Sequence, residues 1–258
     1  MKHPALPLLA LLLSACGGAG TPDAPASAVA ELASPSETGD AEAASQPSGP
    51  DLSTCKPYGP EEYRDRKASP ALKFPPRFAG IVATRPDQLA VLTLSGKTLC
   101  SDARWHDRAS NPTLSADGRF VGYEWDGYEA FGYMLIDRSG AGVAIETGDK
   151  PVPSPSGKRL ASVQWSESGF EAFSGAMILE TVPGPLRIIG KVENLPEGLT
   201  DWRFDHWRND GCFELSSVRF EDIPDDGQIT PKTVRQRFIA REVNAKWSVE
   251  AFDACPAK

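Results

Sequence analysis

Five carboxylates in this chain have neighbourhoods suited to acid–base chemistry: Asp126, Glu129, Glu171, Asp201 and Asp205. Glycoside cleavage needs two such groups across one bond, one donating a proton and the other acting as base or nucleophile. Glu129 and Glu171, however, hold the same place in two copies of one phrase, Gly127-Tyr128-Glu129-Ala130-Phe131 and Gly169-Phe170-Glu171-Ala172-Phe173. A residue that repeats with its phrase serves the repeated fold more often than it serves a reaction. Beyond His3, two histidines occur in mirrored settings, Trp105-His106-Asp107 and Asp205-His206-Trp207. An aspartate can orient an imidazole for general-base work or for a metal. Sequence neighbours on a strand point to opposite sides, though, and no Gly-x-Ser-x-Gly elbow accompanies them, so surface or loop histidines are expected. The loop Asp222-Ile223-Pro224-Asp225-Asp226-Gly227 offers carboxylates to calcium but lacks the EF-hand spacing, and acidic residues before glycine are ordinary turn chemistry.

The same repeated phrases offer a binding function. Tyr128, Glu129, Phe131, Phe170, Glu171 and Phe173 form an aromatic and acidic set suited to a protein or peptide contact. The competing expectation is that these rings pack inside the fold.

The cysteines bear on fold. Cys55, Cys100, Cys212 and Cys255 allow three pairings. Separations of 45 and 43 residues favour joining Cys55 to Cys100 and Cys212 to Cys255; the main rival joins Cys55 to Cys255. No Cys-x-x-Cys or Cys-x-x-His spacing suggests a metal.

These groups must be positioned by strands. Asn111-Pro112-Thr113-Leu114-Ser115-Ala116-Asp117-Gly118-Arg119-Phe120-Val121-Gly122-Tyr123 returns as Pro151-Val152-Pro153-Ser154-Pro155-Ser156-Gly157-Lys158-Arg159-Leu160-Ala161-Ser162-Val163. Each copy is a proline-led approach, a Ser-x-x-Gly turn, a basic residue and an alternating strand. Gly118 and Gly157 lie 39 residues apart, a period that marks an array of identical supersecondary units. Further strands are expected at 133–136, 142–145, 176–179 and 186–189, with hairpin turns at 137–140 and 182–185. A weaker first unit spans 80–100, and a last one starts near Trp202 and runs through 212–220, 236–240 and 247–252. The stretch from Lys191 to Asp210, rich in Trp and acids, fits no strand template. Only Glu61 to Arg66 invites a helix, so an all-β fold is expected, a small β-propeller of about four blades, three to five, built of antiparallel meanders.

Pro-x-x-Ser-x-Asp-Gly-Arg before an apolar strand resembles the repeat of the periplasmic Tol-system propeller and its relatives, roughly Pro-x-Trp-Ser-Pro-Asp-Gly-Lys. The second copy keeps Ser154-Pro155 and Gly157-Lys158 but has Ser156 in place of the aspartate. The likeness covers about 80 residues. It implies propeller blades, which in such proteins mostly scaffold protein contacts, with some enzymes among them.

Residues 1–15 read as a leader. Lys2 supplies the positive start, Ala5 to Leu13 the apolar core, too short to span a bilayer, and Leu13-Ser14-Ala15-Cys16 matches the lipobox. Resemblance to bacterial lipoproteins implies cleavage before Cys16, acylation of that residue and, with Gly17 following, an outer-membrane address facing the periplasm. Residues 16–54 read as lipidated cysteine and disordered tether, carrying six acidic residues and neither a basic residue nor an aromatic one. Its reach is about 35 Å for a flexible chain. Residues 55–258 form the propeller-like domain. Of 35 acidic and 27 basic residues, six and one respectively precede residue 55, so the domain is nearly neutral and no nucleic-acid surface is expected. The expected function is that of a membrane-anchored binding lipoprotein contacting another envelope protein, without a cofactor. The alternatives are an envelope hydrolase of glycan or peptide, or a toxin-blocking immunity lipoprotein.

Overall fold

The two repeated phrases fold into the same turn. Gly118 N–H donates to Ser115 C=O at 2.8 Å, and Gly157 N–H to Ser154 C=O at 2.8 Å. Both glycines have positive φ, 69° and 70°, where a Cβ is disfavoured. Asp117 Oδ1 accepts from Arg119 N–H at 3.0 Å, and in the second copy Ser156 Oγ accepts from Lys158 N–H at 3.2 Å. The serine therefore does the aspartate's work in the turn.

The computed structural model describes residues 49–56, 70–128, 130–165 and 173–252. The expected leader, Cys16, the tether up to residue 48 and the helix at 61–66 lie outside the described residues. Among the described residues of the unit Ser45–Lys258, fifteen strands make four antiparallel sheets, each a meander in chain order. The first sheet holds β1 (Val82–Arg85), β2 (Gln88–Leu92) and β3 (Thr98–Asp102). The second holds β4 (Arg108–Leu114), β5 (Phe120–Gly127), β6 (Ala130–Asp137) and β7 (Val143–Thr147). The third holds β8 (Val152–Pro153), β9 (Arg159–Gln164), β10 (Gly175–Glu180) and β11 (Arg187–Val192). The fourth holds β12 (Leu199–Asn209), β13 (Cys212–Arg219), β14 (Gln236–Val243) and β15 (Lys246–Ala251). Helix among the described residues is limited to short 3-10 turns such as Pro76–Phe78.

Two strands depart from the sequence reading, and bulges explain both. β4 occupies the expected proline-led approach; its pairing with β5 shifts register between Ser110 and Thr113, with Asn111 at φ 48°. A bulge is where a sheet tolerates Pro112, which has no N–H to give. β12 lies in the stretch that fitted no template. Its register with β13 slips three times, between Thr200 and Arg203, Phe204 and His206, and Trp207 and Asn209, so no period of two survives in the sequence.

Three apolar layers join successive sheets. Leu89 and Val91 of β2 pack with Val121, Tyr123 and Ile136 of the second sheet. Tyr133 and Leu135 on the other face of β6 pack with Met177 and Leu179 of β10. Ala161, Val163 and Ile178 then pack with Trp202, Phe213, Leu215 and Phe238 of the fourth sheet. Arginines reinforce these contacts. Arg138 reaches from the second sheet to Leu92 C=O at 2.6 Å, and Arg159 from the third to Asp210 C=O at 2.9 Å and Glu242 at 2.7 Å.

The two ends of the series differ from its interior. On β13, Phe213 and Leu215 face the third sheet, so alternation turns Glu214 and Ser216 the other way. Glu214, 2% exposed, is gripped there by Arg237 at 2.5 Å and by Arg208, with His206 Nε2 at 3.6 Å. Burial alone would raise its pKa; the hydrogen bonds from Arg237 and Arg208 and the charge of His206 outweigh burial and hold it below the usual carboxylate value. At the other end, a disulfide joins Cys55 to Cys100 with Cα atoms 5.5 Å apart. Arg85 donates to Cys55 C=O at 2.7 Å and Gln88 to Lys56 C=O at 2.8 Å, strapping this segment to the first sheet. The favoured Cys55–Cys100 pairing is present, which excludes Cys55–Cys255. Cys212 is disulfide-bonded too, and its partner lies outside the described residues.

Candidate functional site

The β5–β6 hairpin carries the first of the two expected aromatic phrases. Gly127 pairs with Ala130, which puts Tyr128 at the hairpin's end. Tyr128 is 76% exposed and Phe131 50% exposed. A Cβ on Gly127 would stand 2.0 Å from Trp105 C=O, so glycine lets the chain bearing Trp105 lie against the hairpin. Trp105 is exposed too. The sequence reading placed Trp105 beside a histidine but did not see that it joins this end of the second sheet.

The second phrase does not form the same surface. Phe170 and Glu171, like Glu129, fall outside the described residues. Phe173 corrects the expectation: it is 4% exposed, packed with Tyr133, Leu135 and Met177 under the Lys191 ammonium, 5.5 Å from its ring centroid. The cause is a one-residue offset. Phe120 pairs with Asp137 and Arg159 with Glu180, so β6 and β10 correspond at a spacing of 43, whereas the phrases match at 42. An offset of one residue turns a side chain to the opposite face of its strand.

Beside Phe131 is a cleft of about 360 Å³. Trp125, Tyr133 and Gly132 wall it, with Arg108, Glu124 and Asp126 from β4 and β5 and Asp149 and Lys150 after β7. Tyr133, Glu124, Asp126 and Asp149 are fixed from behind. Tyr133 O–H meets Thr113 Oγ1 at 2.9 Å, and a Cβ on Gly122 would fall 2.0 Å from that hydroxyl oxygen. Glu124 Oε2 accepts from Asn111 Nδ2 at 2.6 Å. Arg108 holds Asp126 by two bonds, at 2.9 and 2.6 Å. The Asp149 backbone is pinned by its N–H to Val163 C=O at 3.2 Å and by Ser162 Oγ donating to its C=O at 2.7 Å.

His106 lies in the loop before β4, one of the two settings expected for it, but it is buried and supports the cleft from inside. It is 1% exposed, and its ring stacks on Trp125 at 4.4 Å and 16°. Nε2 lies 3.1 Å from Glu146 Oε1 and Nδ1 lies 3.0 Å from Tyr123 O–H. An ionised carboxylate only accepts, so Nε2 carries a proton toward Glu146. Burial, aided by the Glu146 charge, drives the Tyr123 pKa far upward, so this phenol keeps its proton. Glu146 lies 40 residues away, which is why the sequence pointed to Asp107 instead. His206 does stay half-exposed, as expected.

The remaining candidates are engaged structurally. Asp201 is held by Arg203 at 2.9 Å and by Arg235 at 2.5 Å, and Asp205 accepts from Ser216 Oγ at 2.8 Å. In the acidic loop, Asp222 binds Arg219 at 2.6 Å and Asp226 caps Gln228 N–H at 3.0 Å. No group of three potential ligands converges for a metal among the described residues. Asp149 differs. No hydrogen bond is made to its carboxyl among the described residues; it is reached by solvent yet ringed by protein, as in a concavity. Burial pushes its pKa up; Arg203 opposes this, and Asp201 and Glu124 add to it.

No protein-family model matches the chain, and no curated protein does. A solved structure of Kuenenia stuttgartiensis hydrazine synthase aligns with 72% of this chain and 53% of its own, at 12% identity and a TM-score of 0.29. The chain thus spans about half the length of the solved chain it matches, and likeness at that level carries no argument about function.

Proposed function

We propose that this chain is a lipid-anchored binding protein of the bacterial envelope, facing the periplasm from the outer membrane and contacting another envelope protein. The lipobox at Leu13-Ser14-Ala15-Cys16 and the acidic tether support the address. Four meander sheets, each joined to the next by an apolar layer, support reading them as propeller blades.

The observation that carries the binding reading is the exposure of Tyr128 and Phe131 together at one hairpin end, beside the exposed Trp105. Aromatic side chains held on a rigid strand pair, rimmed by charge such as the Arg108–Asp126 pair, are the usual anchors of protein interfaces. Catalysis is the weaker reading because Asp126, Asp201 and Asp205 are each occupied by an arginine or a serine. Two changes test the proposal: Cys16→Ser should release the protein from membranes, and Tyr128→Ala should weaken partner binding at least ~10-fold, about 1.4 kcal/mol, without lowering Tm.

A further inference from the structure

We infer that the cleft beside Phe131 binds a neutral saccharide unit. This goes beyond the protein contact: it shares Phe131 with that surface but not Tyr128.

Size and lining argue for a small ligand. About 360 Å³ lies within the range of small-molecule sites and would hold roughly two sugar rings. The ligand's charge follows from the wall. Arg108 and Lys150 oppose an isolated cation, while Glu124, Asp126 and Asp149 oppose an anion. A polyhydroxylated neutral molecule suits both sets, because each hydroxyl donates to a carboxylate and accepts from a cation. Its apolar C–H face needs a flat ring, which the half-exposed Phe131 supplies.

One feature shows polar capacity left over at this wall. The Asp149 carboxyl receives no hydrogen bond among the described residues, although Glu124 and Asp126 nearby both do. Asp149 is exposed in the cleft, where a ligand hydroxyl could donate to its carboxylate.

The test titrates the full chain in detergent with chitotriose and, separately, cellotriose, by calorimetry and saturation-transfer NMR. At least one probe should bind, and Phe131→Ala, Lys150→Ala and Asp149→Ala should each weaken it at least ~10-fold. Tyr128→Ala should leave it within about 2-fold, so failure here is distinguishable from failure of the protein contact. Asp149→Ala should also melt no lower than wild type at pH 7, because it removes an ion the cleft disfavours. Absence of binding by both probes, or binding unchanged in Phe131→Ala and Lys150→Ala, would overturn the inference; those two residues are exposed enough that their loss spares the fold.

Discussion

Arg119 grips Asp137 with two hydrogen bonds, Nε to Oδ1 at 3.0 Å and Nη2 to Oδ2 at 2.8 Å, across the start of β5 and the end of β6. The same guanidinium donates to Thr181 C=O and Gly184 C=O of the third sheet, both at 2.8 Å. Asp137, fully buried, accepts also from Leu186 N–H at 2.8 Å. The basic residue after the repeated glycine thus locks one sheet to the next.

Arg119→Ala leaves the Asp137 carboxylate buried and short of its cation. Breaking such a pair costs about 3 kcal/mol or more, equivalent to a Tm fall of roughly 6–12 °C in a domain of this size. Calorimetry on Arg119→Ala and on the double variant with Asp137→Asn checks this. The second substitution should recover part of the loss, since no buried charge then remains.

Acid should unfold the protein through Asp137 and Glu214. At Asp137, burial raises the pKa but the Arg119 bond and the Ser139 and Leu186 N–H groups outweigh it, leaving the folded value below the ordinary 3.8. Glu214 is likewise held below its ordinary 4.5. Depressed folded values contribute stability above the unfolded pKa and lose it as pH falls through the folded value. Asp149 has the opposite sign: its raised pKa costs stability as pH rises through the folded value. Tm measured against pH should therefore be nearly flat from 7 to about 5 and fall steeply below about 4. A flat profile down to pH 2 would contradict the Arg119–Asp137 account.

How much of this was legible in sequence depended on where the partners lie. Gly118 and Gly157 could be read because a turn is local and its period repeats. Pro112 and the Trp202 to Trp207 stretch could not, since bulges erase the alternation by which strands are recognised. The aromatic phrases were visible, yet their faces were not. Phe131 and Phe173 part company through one residue of register that only the pairings Phe120–Asp137 and Arg159–Glu180 reveal. The cleft itself was hidden, because Asp149 and Trp125 converge through strands and not through any motif.

The Cys55–Cys100 bond closes a separation of 45 residues, which by chain entropy corresponds to about 4 kcal/mol. Replacing both cysteines by alanine should lower Tm by at least ~8 °C. It should also free the segment carrying Cys55 and Lys56, seen as faster amide exchange at Thr98 and Gln88, whose side chains bind it. An unchanged melt would show that Arg85 and Gln88 hold the strap alone.

The most direct test of the binding proposal is photo-crosslinking in intact cells, with a crosslinking residue placed at Tyr128, at Phe131 and, as control, at the exposed Val234 in the loop before β14. The account predicts one discrete protein adduct of the same mass from positions 128 and 131 and none from 234. Adducts from 234 alone, or from none of the three, would contradict it.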